Sequence, residues 1–209
     1  MPILVSEKGG GEMSRGFSLV EVLVGSAIMG IVLGGALSAY VSTRRYEMVD
    51  RAKANAWAIL ISEVESIRQM KYNDLLDLAG KSTKGYWYVF KSKDDDGNPL
   101  YGEDAIIEVS DNPELKFWNR DKFKKDHFDP MGIERGSVRV YIDKVEKEGG
   151  NKVNDALNIK VVVSWAYGGQ VYGGDRNLNG REDAGDVLDG EGRLVSDVSI
   201  ETATCKVMH

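Results

Sequence analysis

Six carboxylates fall within residues 175–191: Asp175, Glu182, Asp183, Asp186, Asp189 and Glu191, opposed locally by only Arg176 and Arg181. Their spacing suits one chemistry, oxygen coordination of a divalent cation. Asp175, Asn177, Asn179, Asp183 and Asp186 stand at positions 1, 3, 5, 9 and 12 of a calcium loop. Gly180 occupies position 6, where the chain must turn sharply, and Arg181 occupies position 7, where the ligand is a backbone carbonyl. Position 12 is Asp rather than Glu, so its reach for bidentate ligation is shorter, and Asp189 or Glu191 could supply an oxygen instead. The flanking pattern is strand, so the expectation is a calcium loop without the usual pair of helices. The alternative is a hydrated acidic turn. Crowded like charges predict a loop that is mobile without a cation and ordered with one.

A second chemistry-bearing residue is Glu21. It is the one charged side chain between Phe17 and Val41, among residues that are otherwise apolar, small or hydroxylic. As a helix this stretch is ~35 Å long, enough to cross a ~30 Å hydrocarbon core. An acid inside such a span is costly unless it finds a partner, which makes Glu21 a candidate functional residue. The alternative is an ordinary signal anchor carrying a stray acid. Elsewhere the chemistry is thin. His127, His209 and the single Cys205 are isolated, so neither a zinc set nor a nucleophile with its base can be assembled. Asp94-Asp95-Asp96-Gly97-Asn98-Pro99 reads as a solvated turn. There is no glycine-rich phosphate loop after a strand.

The elements that must position these residues follow from periodicity. Residues 1–16 form a polar, glycine-rich leader, and residues 17–41 the apolar helix. Within it Ser18, Val22, Ser26, Gly30, Gly34 and Ser38 recur every four residues, a spacing that lets a second helix approach closely. Residues 42–79 continue as the amphipathic half of the same helix, with no proline to interrupt it. Ala52, Ala56, Ile59, Leu60, Val64, Ile67 and Met70 mark its apolar face; Arg51, Lys53, Glu63, Glu65 and Arg68 belong mostly elsewhere. Residues 80–209 read as strands at 85–91, 105–109, 137–145, 157–165 and 193–204, with loops at 92–104 and 111–136. Tyr86, Trp87, Tyr88 and Phe90 are expected in the sheet core. A helix followed by an antiparallel sheet is an α+β head.

The 209 residues suggest one globular domain with appendages. The net charge is −6, and the leader's Glu7, Lys8, Glu12 and Arg15 cancel, so removing it leaves that value unchanged. An acidic chain with no dense basic tract argues against nucleic acid as the main partner. Lys8 and Arg15 ahead of the apolar run place the leader in the cytoplasm; Arg44 and Arg45 just beyond it pull the other way.

Arg15-Gly16-Phe17-Ser18-Leu19-Val20-Glu21 with its apolar run resembles the processing site of type IV prepilins and pseudopilins. The resemblance implies cleavage after Gly16 by a prepilin peptidase, methylation of the new N-terminal Phe17, and guidance of assembly by Glu21. A Glu21 carboxylate pairing with the Phe17 ammonium of a neighbouring subunit would remove two buried charges together. The segment from Ala56 to Leu75, and the Lys160-Val-Val-Val-Ser-Trp165 strand before a Gly-Gly turn, resemble minor pilins and minor pseudopilins. The resemblance further implies a non-enzymatic filament subunit of a type IV pilus or type II secretion pseudopilus. Such a subunit is single-pass in the inner membrane with its head outside the cytoplasm, and assembles with other pilin or pseudopilin subunits. The calcium loop read from residues 175–186 would, with Ca²⁺ bound, stabilise its head. The rival readings are a filament-tip adhesive subunit, whose calcium loop and 111–136 insertion contact a partner, and a membrane-anchored envelope enzyme.

Overall fold

The computed structural model describes residues 18–80, 85–110, 132–146 and 152–205. The chain divides into two compact units, one up to Tyr46 and one from Glu47 onward. Helix α1, Leu19–Gln69, contributes to both.

In the first unit every described side chain is exposed, aliphatic ones included: Leu19, Val22, Ile28, Ile31, Leu33 and Leu37 among them. The hydroxyls along this stretch turn back onto their own helix. Ser26 donates to the Leu23 carbonyl at 2.9 Å, and Ser42 and Thr43 donate to the carbonyls of Ser38 and Ala39 at 3.0 Å. Polar side chains thus satisfied internally leave an apolar surface. A Cβ built on Gly30 or Gly34 meets nothing within 4 Å, so the small-residue line is open on the helix surface at both.

The second unit is the head. Its sheet is antiparallel throughout, from six strands: β1 Gly85–Lys91, β2 Ile106–Val109, β3 Arg135–Glu146, β4 Lys152–Tyr167, β5 Gln170–Tyr172 and β6 Ser199–Cys205. The order is β2-β1-β3-β4-β5, with β6 also pairing β4. β5 lies against residues 165–167 of β4, and β6 against residues 156–162. The α+β expectation holds. β5 escapes the sequence pattern because it is three residues long. It is made by Gly168 and Gly169, whose positive φ of 58° and 74° fold β4 back at once, and it is held by a Trp165–Tyr172 stack at 5.5 Å.

One face of the sheet receives the helix. Ala52, Ala56, Ile59, Leu60, Val64 and Ile67 are buried with Tyr86, Tyr88, Phe90, Val138, Val140, Ile142, Ile159, Val161 and Val163. The expected apolar face is therefore the buried one, and the aromatic strand lies in the core as expected. Two expectations need correction. Glu63, assigned to the polar side, is completely buried. The single helix to residue 79 is two helices, because α1 ends at Gln69 and α2 covers Tyr72–Ala79. No proline causes the break. Lys71 is extended (φ −67°, ψ 141°), and the chain restarts so that Leu75 and Leu78 reach the core. Tertiary burial overrides an uninterrupted helical pattern.

The opposite face is covered by residues 173–195, so Arg139 and Tyr141, which alternate outward on β3, are nonetheless buried. Tyr141, Val162 and Leu194 form a second apolar cluster there. The last strand begins at Ser199 rather than 193, since Leu194 bridges Leu188 within the covering loop. Residues 111–131 of the expected 111–136 insertion lie outside the described residues.

Candidate functional site

Gly16 and Phe17 lie outside the described residues. Immediately after them the chain enters α1 through Ser18. The Val20 N–H donates to Ser18 Oγ at 3.2 Å, and the Ser18 N–H donates to Glu21 Oε2 at 3.0 Å. This reciprocal pair is a capping box: it satisfies two amides that a helix start leaves without intrahelical acceptors. It also places a carboxylate in the first turn, at the positive end of the helix dipole. Its sequence signature is Ser18-Leu-Val-Glu21, the Ser-x-x-Glu spacing of a helix start. The helix behind is long and apolar enough to cross a membrane.

The loop carrying Asp175, Asn177, Asn179, Arg181, Asp183 and Asp186 is built onto the second sheet face. Asp175 is fully buried. Its Oδ2 accepts from Ser137 Oγ at 2.5 Å and from the Gly180 N–H at 2.7 Å, and its Oδ1 from the Asn179 N–H at 3.2 Å. Its own N–H donates to Ser164 Oγ at 3.3 Å. Burial pushes the Asp175 carboxyl up from its ordinary value, against the pull of Ser137 and the two amides. Leu178 (φ 55°) and Gly180 (φ 75°) wind the chain through left-handed positions. A Cβ at Gly180 would come within 2.7 Å of the Trp87 ring, so position 6 admits only glycine on both counts.

Around this anchor the amides and acids interlock. Asn177 and Asn179 both donate Nδ2 to Asp183 Oδ2, at 3.0 and 2.6 Å. Their amide oxygens accept backbone N–H groups of Asn179 and Arg181. Asp186 closes the turn by accepting from the Arg176 and Asp183 N–H groups, each at 2.8 Å. The two asparagine amides hold the Asp183 carboxyl below its ordinary value.

The expected charge crowding is relieved from an unexpected side. Cations of the sheet, not only of the loop, meet the acids: Arg139 pairs Glu182 at 2.9 Å, Lys160 pairs Asp189 at 2.6 Å, and Arg193 pairs Glu191 at 2.5 Å. Asp189 is half-enclosed, which alone would raise it, yet Lys160 and the amides of Arg193 and Glu191 hold it well below the usual carboxylate range. Arg181 stacks over Trp87 at 5.0 Å and pairs Glu108 at 3.1 Å. The remaining acids, Asp175, Asp183 and Asp186, take only neutral donors among the described residues. These are positions 1, 9 and 12 of the calcium pattern. No three His, Cys, Asp or Glu side chains gather as a metal-holding group among the described residues. A cation here would therefore draw on the Asn177 and Asn179 amide oxygens and the Arg181 carbonyl as well. The Asn177 and Asn179 amide oxygens each keep a second lone pair beyond the backbone N–H they accept.

The turn at Asp94 is a self-contained one. Asp94 Oδ1 accepts from the Asp96 and Asn98 N–H groups, and Oδ2 from Asn98 Nδ2. The site that sequence reasoning missed is Glu63. Tyr86 Oη donates to its Oε1 at 2.5 Å and Tyr88 Oη to its Oε2 at 3.0 Å, inside the helix–sheet core. The signal was there: Glu63 lies four residues from both Ile59 and Ile67, in the middle of the buried stripe.

Residues 13–37 match the family model described as the prokaryotic N-terminal methylation motif. No curated protein and no solved structure matches the chain. The methylation motif thus stands at the head of a capped, membrane-length helix, an arrangement that supports a type IV pilin-like subunit of the kind that prepilin peptidase processes.

Proposed function

We propose that the protein is a minor pilin or minor pseudopilin, a structural subunit of a type IV pilus or type II secretion filament. In this reading cleavage follows Gly16, Phe17 becomes the methylated N-terminus, and the chain waits in the inner membrane with its head outside the cytoplasm. Assembly then packs the helices of neighbouring subunits together. The methylation motif on an apolar helix that also enters a folded α+β head carries the proposal. The open surface at Gly30 and Gly34, four residues apart on one face, supports close helix approach. Glu21 is proposed to leave its own cap and pair with a neighbour's Phe17 ammonium, setting the axial offset between subunits.

The head is proposed to hold Ca²⁺ through Asp175, Asn177, Asn179, the Arg181 carbonyl, Asp183 and Asp186. When bound, the ion would neutralise the three acids that have only neutral donors and join the loop to the sheet through Asp175. Quantitative mass spectrometry of sheared surface fibres and of the membrane fraction tests the assignment, scoring the peptide that begins at methylated Phe17. A processed chain in the fibres, at a small ratio to the main subunit, is the result expected of a minor pilin. A processed chain confined to the envelope is that expected of a pseudopilin. An unprocessed N-terminus in both overturns the reading.

A further inference from the structure

We propose that Tyr40, Arg44 and Arg45 form a binding site for the phosphate of an anionic phospholipid, in the leaflet at the C-terminal end of the apolar run. The proposal rests on the membrane-crossing reading of α1 and not on filament assembly. The 23 residues from Leu19 to Val41 rise roughly 33 Å as a helix, which brings Tyr40 to one boundary of a ~30 Å hydrocarbon core. Tyrosine favours that boundary because its ring is apolar and its hydroxyl polar.

Arg44 is joined to it. The Arg44 Nε–H donates to Tyr40 Oη at 3.0 Å, and the guanidinium carbon lies 5.4 Å from the ring centroid. The direction matters. Side chains of a helix tilt toward its N-terminus, which at this end of a span aims a cation back toward lipid. An arginine so aimed needs acceptors near the boundary. Tyr40 supplies one acceptor and a ring face, and a lipid phosphate supplies the oxygens that suit a planar guanidinium fork. Arg45 stands one turn above Val41, the last apolar residue of the run, so a second guanidinium reaches the same headgroup layer. The neighbouring hydroxyls of Ser42 and Thr43 donate to carbonyls of their own helix. This also assigns a task to two cations that, on topology alone, stand at the wrong end of the span.

The test is made on the full chain reconstituted in vesicles of equal phosphatidylcholine and phosphatidylglycerol. A carbonate wash reports insertion, and native mass spectrometry after mild detergent release counts the lipids retained. The wild type is expected to keep phosphatidylglycerol in preference to phosphatidylcholine. Arg44→Gln with Arg45→Gln should lower that preference by about tenfold while staying inserted. Arg44→Lys with Arg45→Lys should recover part of it, since the charge returns without the fork. Excess inorganic phosphate should leave retention unchanged; displacement by it would overturn the lipid as ligand. Equal retention of both lipids by an inserted chain, or unchanged phosphatidylglycerol retention in the Gln variant, overturns the site alone. A chain removed by carbonate overturns the membrane reading and the site with it.

Discussion

Two of the glutamates of helix α1, Glu21 and Glu63, stand in opposite circumstances. Glu21 sits on an exposed apolar stretch and its hydrogen-bond partner, the Ser18 amide, lies in its own first turn. Glu63 has no exposed surface and its partners, Tyr86 and Tyr88, belong to another element. A carboxylate that is satisfied within its own turn places no demand on the rest of the fold. A carboxylate satisfied across 23 and 25 residues of sequence fixes the rotation and axial position of α1 on the sheet. Such a buried acid need not be more stabilising than an apolar residue in its place, yet removing one side of the arrangement is costly because the other side stays buried.

The largest effect should therefore come from Glu63→Ala. It opens a cavity and strands two tyrosine hydroxyls, and the expected loss is about 3–5 kcal/mol. Urea denaturation of the full chain in detergent, followed by tryptophan fluorescence, measures it. Tyr86→Phe and Tyr88→Phe should each cost about 1–2 kcal/mol, and their effects should vanish in the Glu63→Ala background. A loss below ~1 kcal/mol for Glu63→Ala would mean that the cluster does not position the helix.

Calcium comes next in size, and Asp175 extends the comparison to a third acid. It too is buried, and burial pushes its carboxyl up from the ordinary value against the pull of Ser137 and two backbone amides. If the site fills at about a hundredfold excess over its Kd, chelation with EGTA should remove about 2.7 kcal/mol and lower Tm by roughly 5–10 °C. Asp183→Asn should abolish the EGTA effect. An unchanged Tm and unchanged protease resistance would leave the loop as an acidic turn held by Arg139, Lys160 and Arg193 alone.

What the chain discloses in one dimension follows the same division. The apolar run, the aromatic strand β1 and the Lys160–Trp165 strand are legible because their partners are generic, lipid or a core of matching faces. The polar turn from Asp175 to Asp186 is legible because the residues that interlock in it lie close together in sequence. Glu63 was not, because a charged letter within a stripe reads as solvent-facing until the two tyrosines opposite are known. The second sheet face was not, because Arg139 and Tyr141 alternate as an exposed set would. Their burial depends on a loop more than 30 residues later in sequence. The α1–α2 break was invisible for the same reason: the pull on Leu75 and Leu78 comes from the sheet.

The tyrosines give a smaller effect with a definite sign. Burial first, and Glu63 second, push Tyr86 and Tyr88 well above the usual phenol value of 10.0. Above pH ~10 the unfolded chain releases these protons while the folded chain keeps them, so stability falls as pH rises beyond that point. Below it the contribution is fully present. Stability measured from pH 8 to about pH 11 should decline at the alkaline end, and Tyr86→Phe with Tyr88→Phe should flatten the decline. An unaltered slope in that double variant would assign the alkaline loss to other groups.

The smallest effect on the head should come from Glu21, and there the comparison can be broken. Ser18→Ala and Glu21→Ala each remove one half of the capping box, at about 1 kcal/mol for the helix start. Neither should move the melting of the head, since Ser18 and Glu21 belong to the first unit. The two substitutions differ in what they leave behind. Ser18→Ala keeps the carboxylate available to a neighbour's Phe17 ammonium; Glu21→Ala does not. If Glu21 serves assembly by charge, incorporation into fibres should fall sharply in Glu21→Ala and Glu21→Gln and persist in Ser18→Ala. If it serves only to start the helix, Ser18→Ala should match Glu21→Ala, and Glu21→Gln, whose amide oxygen still accepts from the Ser18 N–H, should assemble normally. Immunoblots of sheared fibres against the membrane fraction distinguish the two. Equal loss in Ser18→Ala and Glu21→Ala would make both glutamates structural residues, one holding a helix to its sheet and the other holding the helix to its first turn.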